Sequence, residues 1–63
     1  MQSTLAELSS VGSQLEDLTR RVVDAARAYE GGGREDVAHE LFEVERSLRA
    51  ATRRLERASR SAR

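Results

Sequence analysis

The chain of 63 residues contains no cysteine, no proline, no tryptophan and no lysine. The absence of cysteine excludes disulfides and thiolate metal ligands, and a single histidine leaves too few ligands for a structural zinc site. A domain of this length gains only a few kcal/mol from its own core. We therefore expect self-association or a partner chain to supply part of the stability.

Aromatic residues and long apolar runs are also scarce. Tyr29 and Phe42 are the only aromatic residues, and no apolar run approaches the roughly 18 residues of a membrane span. The first ten residues lack a basic region followed by an apolar one, so we expect no signal peptide, no membrane contact and a cytoplasmic location. Ala, Leu, Glu and Arg dominate, which is typical of long helices and, with arginine as the sole basic residue type, of GC-rich actinobacterial genomes.

Apolar residues recur at alternating spacings of three and four in both halves of the chain, which is the pattern of a coiled-coil seam. Such a seam predicts one amphipathic helix in each half. The first run is Leu8, Val11, Leu15, Leu18, Val22, Ala25 and Tyr29, and the second is Val37, Leu41, Val44, Leu48, Ala51, Leu55, Ala58 and Ala62.

Three consecutive glycines, residues 31–33, separate the two runs. Glycine accepts the left-handed conformation that ends a helix, and Gly33 is also a tolerable N-cap for the next one. The sequence predicts one domain over residues 1–63, with helix 1 at about 4–30, a Gly loop at 31–33 and helix 2 at about 34–59. Equal helices joined by a short loop predict an all-α, antiparallel two-helix hairpin.

Several apolar residues lie outside the seams, and a lone hairpin would leave them in water. We expect a second hairpin to cover them, which gives a homodimeric four-helix bundle. An alternative for Phe42 is an anchor for a different protein. In architecture and length alone, the arrangement resembles the small RNA-binding Rop-type dimers, with which it shares no motif. The expected core is Leu8, Leu15, Leu18, Val22, Leu41, Val44, Leu48 and Leu55, and the expected interface is Leu5, Val23, Ala38 and Phe42.

Charge is unevenly distributed, although the formal net charge is zero. Ten of the eleven acidic residues precede Arg46, whereas seven of the eleven arginines lie from Arg46 onward. An arginine-rich helical face can bind a phosphate backbone. It can equally be a solvated face with local ion pairs such as Glu45 with Arg49 and Glu56 with Arg60. The candidate nucleic-acid face is Arg46, Arg49, Arg53, Arg57 and Arg60.

No catalytic, metal-binding or cofactor-binding residue is predicted. His39 lies among carboxylates on an outer helix face, and no nucleophile, base and oxyanion hole can be assembled from the sequence. Glu43 and Ser47 are similar to the start of the cyclic-dinucleotide motif E-x3-S-x2-R-x3-Q-x3-D of RsiG-family anti-sigma factors, but the next three positions differ. The sequence favours a non-enzymatic protein–protein interaction module, with a nucleic-acid-associated regulator as the alternative.

Overall fold

A computed structural model, which describes residues 4–63, shows two α-helices packed against each other as a hairpin. Helix α1 spans Thr4–Gly31 and helix α2 spans Glu35–Ala62, each with 28 residues. The hairpin is a rod of 50 × 16 × 10 Å. The prediction of an all-helical hairpin is therefore confirmed, and α2 continues three residues beyond its predicted end at residue 59.

The turn is a helix-capping motif in which one glycine has a special conformation. Gly33 has a φ of 82°, a value that residues with a Cβ atom rarely adopt. The Gly33 N–H donates to the Glu30 carbonyl at 3.2 Å, and the Arg34 N–H donates to the Tyr29 carbonyl at 2.8 Å. This pair of bonds is a Schellman motif. Gly33 thus closes α1, whereas Arg34, and not Gly33 as predicted, is the N-cap of α2.

Alanine substitutions in the turn should have opposite effects at two neighbouring glycines. Gly31 is helical and a Cβ there meets nothing within 4 Å, so Gly31→Ala should stabilise the fold by about 0.5–1 kcal/mol. At Gly33 the positive φ makes Gly33→Ala destabilising by about 1–2 kcal/mol. Urea unfolding of both variants at one protein concentration measures the difference, and equal effects would contradict this account of the turn.

The helices meet along small side chains that recur every seven residues, which we call the small columns. Three members have almost no exposed surface: Ala26 at 0 %, Ala38 at 2 % and Thr19 at 5 %. Because small side chains let two backbones approach, these residues form the centre of the contact. The small columns are Gly12, Thr19 and Ala26 in α1, and Ala38, Glu45, Thr52 and Ser59 in α2, where Glu45 is the charged exception.

Larger apolar residues beside the small columns, the leucine columns, are half-buried. A Cβ built at Gly12 would lie 3.8 Å from Leu55 Cδ2, so the leucine column of α2 lies over the small column of α1. The buried Thr19 hydroxyl donates to the Leu15 carbonyl at 2.7 Å, so its burial leaves no unpaired polar group. The leucine columns are Leu8, Leu15 and Val22 in α1, and Leu41, Leu48 and Leu55 in α2.

The other half of the predicted seam lies outside this contact. Leu18 and Val44 are each 43 % exposed, and Val11 is 37 % exposed. Small residues draw the helices together on the opposite edge of the leucine columns, so the hairpin turns these three side chains outward. Within one chain, therefore, Leu18 and Val44 do not form the core that the seam predicts.

Candidate interaction surfaces

The two helices place equivalent columns on the same side of the hairpin. Glu16, Arg49 and Glu56 each follow a leucine-column residue, and all three line one open groove of about 370 Å³ together with Thr19 and Thr52. Residues that directly follow the leucines therefore share one side. In a right-handed helix, residues three positions after the leucines lie beyond the opposite edge of the contact, so they share the other side.

That other side carries one column of apolar residues from each helix, and we call the two columns together the apolar face. Its largest exposed members are Val11 and Leu18 in α1 and Val44 in α2. Tyr29, 45 % exposed, lies near the loop end of the hairpin. Scattered exposed apolar residues are ordinary on proteins, whereas a contiguous strip along a whole face is typical of an interaction surface. The apolar face comprises Val11, Leu18, Ala25, Val37, Val44, Ala51 and Ala58.

The four residues expected at an interface from sequence lie elsewhere. Leu5, 37 % exposed, lines the groove side near the start of α1, and Val23 and Phe42 are half-buried on the same side. Ala38 is buried within the hairpin itself, at 2 % exposure. Three of the four residues therefore share the groove side, and Ala38 is enclosed by the hairpin. The apolar face could have been found from the seven-residue recurrence of small residues, which shows the edge of each seam at which the helices meet.

The groove side widens toward the open end of the hairpin. A cleft of about 620 Å³ there has Leu8, Gly12 and Leu55 on its floor and Ser59 and Arg60 on its rim. The cleft is open to solvent, and the small residues Ser9, Gly12 and Ser59 among its lining leave space there. An apolar side chain from another molecule would fit this floor, but no polar group in the cleft is buried and unpaired.

Arginines before residue 50 are mostly paired with carboxylates on their own helix. Arg20 contacts Asp17 at 2.6 Å, and Arg49 contacts Glu45 at 2.7 Å. The Glu45–Arg49 pair is one that the sequence predicts, and it keeps the carboxylate of the part-buried Glu45 compensated. Longer pairs join Arg21 to Asp17, Arg34 to Asp36 and Arg46 to Glu43.

Arginines after residue 50 have no such partners. Among residues 4–63, none of these five side chains forms an ion pair, and the predicted Glu56–Arg60 pair is not formed. The five side chains leave one end of the rod strongly positive, with Glu56 as the sole acidic residue in that stretch. We call Arg53, Arg54, Arg57, Arg60 and Arg63 the arginine cluster. Of the candidate nucleic-acid face, Arg53, Arg57 and Arg60 belong to this cluster, whereas Arg46 and Arg49 are paired.

The glycine turn carries an ion pair that opposes anion binding. Two guanidinium nitrogens of Arg34, Nε and Nη2, donate to the Asp36 carboxylate, at 3.2 and 3.3 Å. These bonds, followed by the Val37 N–H, lower the pKa of Asp36 below its usual value. The carboxylate is exposed, so its small contribution to stability is present at neutral pH and is lost as the pH falls through the lowered pKa. Because Arg34 is already paired with Asp36, it is not a free cation that could bind a phosphate at the turn.

Neither described helix contains an apolar stretch long enough to cross a membrane. Within residues 4–63, no three His, Asp or Glu side chains are grouped so that they could hold a metal ion. No protein-family model matches the sequence, and no curated protein or solved structure matches it significantly.

Proposed function

We propose that this protein is a cytoplasmic, non-enzymatic interaction module that homodimerises as a four-helix bundle and binds a partner protein. The observation that carries the proposal is the apolar face, along which Leu18 and Val44 remain 43 % exposed. Full burial of such a side chain from water is worth about 1.5–3 kcal/mol, and the part that belongs to the exposed 43 % is still to be gained. A second hairpin packed on this face would supply that burial.

The small amount of side-chain surface that one hairpin buries also favours association. Among residues 4–63, no large side chain is less than 2 % exposed, and the residues buried in the contact are Ala26, Ala38 and Thr19. Helices in water depend on packing for most of their stability. A hairpin whose centre consists of small residues gains little from burial, so a bundle that also encloses the leucine columns is the more stable state.

Sedimentation equilibrium tests the homodimer. The wild-type protein should have twice the 7.0 kDa mass of one chain at micromolar concentration, and its thermal midpoint should rise with protein concentration. Binding of a partner is tested afterward by affinity capture with the dimer and reconstitution with the purified partner. A monomer with a concentration-independent midpoint would contradict the proposal.

A second candidate function has an observation of its own, the arginine cluster. Five arginines without carboxylate partners at one end of a helix are suited to a phosphate backbone, because guanidinium groups form charge-assisted bonds with phosphates. Phosphate contacts of this kind carry no sequence preference. The alternative is therefore a regulator that associates with nucleic acid through charge.

Salt dependence distinguishes this alternative from a pure protein-binding role. A duplex oligonucleotide should bind at 50 mM salt and lose at least tenfold in affinity by 200 mM, if about three or more phosphates are contacted. The double variant Arg53→Glu, Arg57→Glu should abolish this binding. The double variant Arg20→Glu, Arg21→Glu changes the net charge equally but outside the cluster, and it should bind more tightly than the first. Equal losses in both variants, or no binding by wild type, would refute the alternative.

A further inference from the structure

We propose that the apolar face is covered by the apolar face of a second copy that runs in the opposite direction, so that the two glycine turns lie at opposite ends of the bundle. This inference rests on the proposed homodimer and adds its geometry. A two-fold axis perpendicular to the helices then places α2 beside the partner's α2 and α1 beside the partner's α1. The axis passes close to Leu18 and Ser47.

The exposed area suits a second hairpin. The chain exposes 4878 Å², whereas a compact monomer of 7.0 kDa exposes about 4,000 Å². The excess of about 900 Å² is spread over the elongated rod, and an interface of standard size, which buries roughly 800 Å² per partner, would bring the exposed area close to the compact value. One copy packed on one face is therefore sufficient to account for the excess.

Charges along the border of the apolar face are complementary only when the second copy runs in the opposite direction. Glu40, Ser47 and Arg54 each precede a leucine-column residue of α2, so they form one column beside the apolar face. Among residues 4–63, neither Glu40 nor Arg54 forms an ion pair within the chain. About an axis at Ser47, Glu40 lies opposite the partner's Arg54, and Arg54 lies opposite the partner's Glu40.

The opposite arrangement, with both turns at one end, lacks these pairs. It places α2 beside the partner's α1, with the same heights that the two helices have within one hairpin. The nearest residues on the corresponding border of α1 are then Ala28 for Glu40 and Gln14 for Arg54, and neither is charged. Two carboxylates and two guanidinium groups would be left without opposite charges at the interface, so this arrangement is less favourable.

Side-chain sizes on the apolar face fit the same axis. In α2, Val44 lies opposite the partner's Ala51, and Val37 lies opposite the partner's Ala58. Every valine of this strip thus faces an alanine, which repeats the large-against-small packing of Gly12 with Leu55 inside the hairpin. Facing sizes that alternate in this way let two layers interdigitate without voids.

The two-fold axis that relates α2 to the partner's α2 also relates α1 to the partner's α1. Val11 lies opposite the partner's Ala25 when Leu18 faces its own copy. Leu18 is 13 residues before the end of α1 at Gly31, and Ser47 is 12 residues after the start of α2 at Glu35, so both lie at nearly the same height. One two-fold axis can therefore serve both helices, as a closed symmetric dimer requires.

Single cysteines test the direction of the second copy, because the chain has none of its own. With a short bis-maleimide crosslinker, Ser47→Cys should yield covalent dimer and Gly31→Cys should not. Spin labels at position 31 should be about 40 Å apart, since each lies 13 residues from the axis at 1.5 Å per residue. Efficient crosslinking at position 31 and none at position 47 would overturn the arrangement.

Charge reversal tests the proposed contacts themselves. Glu40→Arg and Arg54→Glu should each raise the dimer dissociation constant about tenfold. An equal mixture of the two variants should regain wild-type affinity, because both ion pairs of the heterodimer again join opposite charges. Glu43→Arg and Arg57→Glu, on the outermost face of α2, are the matched controls and should show no such recovery. A mixture of the first two variants that fails to recover would overturn the arrangement.

These outcomes separate the arrangement from the proposed dimer. If wild type dimerises and Leu18→Glu dissociates it while the crosslinks or the mixture disagree, the homodimer stands and the antiparallel geometry is wrong. If wild type sediments as a monomer, both fail.

Discussion

Leu18→Glu should convert the protein from a dimer into a monomer at micromolar concentration. Leu18 is 43 % exposed on the apolar face, and in the proposed bundle it meets its own copy at the two-fold axis. The variant removes two apolar side chains from one interface and buries two carboxylates close together. Burial of an unpaired charge costs several kcal/mol, so the dissociation constant should rise at least about a hundredfold. Sedimentation equilibrium over a range of concentrations measures this change.

Phe42→Glu is the matched control, because Phe42 is a half-buried apolar residue on the groove side of the hairpin. The sequence pattern places Phe42 at the dimer interface, whereas the exposed strip favours Leu18. If the apolar face is the interface, Phe42→Glu should lower stability without dissociating the dimer. A monomer from Phe42→Glu together with an intact dimer from Leu18→Glu would place the interface on the groove side.

Ala26→Leu should destabilise the hairpin by about 1–3 kcal/mol. Ala26 is 0 % exposed at the centre of the small column, where a longer side chain would push the two helices apart. Leucine and alanine have similar helix propensities, so the loss would reflect packing. Ala50→Leu is the control, since Ala50 is exposed on the outer face of α2. Urea unfolding at one protein concentration measures both, and equal stabilities would show that the helices do not meet at Ala26.

The helices and the turn could be predicted because each depends on local sequence. Apolar spacings of three and four define an amphipathic helix, and three glycines between two such runs define a reversal. The function of each glycine was less accessible. Gly33 closes α1, where its N–H donates to the Glu30 carbonyl and the Arg34 N–H donates to the Tyr29 carbonyl. A run of three glycines does not show which of them takes that position.

The edge of the seam at which the helices meet could not be read from apolar spacing. Leu15 and Leu18 belong to the same stripe, yet the first is half-buried and the second is 43 % exposed. The edge at which the helices meet is determined by small residues such as Thr19 and Ala26, because they permit the two backbones to approach closely. A search for apolar spacing overlooks them, since alanine is weakly apolar and threonine is polar. Ala38 shows the same limit: an apolar residue beside the seam indicates burial, but not which helix covers it, and within one chain Ala38 is covered by α1.

The small columns make the hairpin extensible in fixed steps. Because the contacts repeat every seven residues from a turn that is fixed by Gly33, one extra heptad in each helix would lengthen the rod by about 10 Å and leave both faces in phase. An insertion of three or four residues in one helix would instead rotate the apolar face out of line. Relatives of this chain should therefore differ in length by multiples of seven residues per helix, with changes matched on the two sides of the turn.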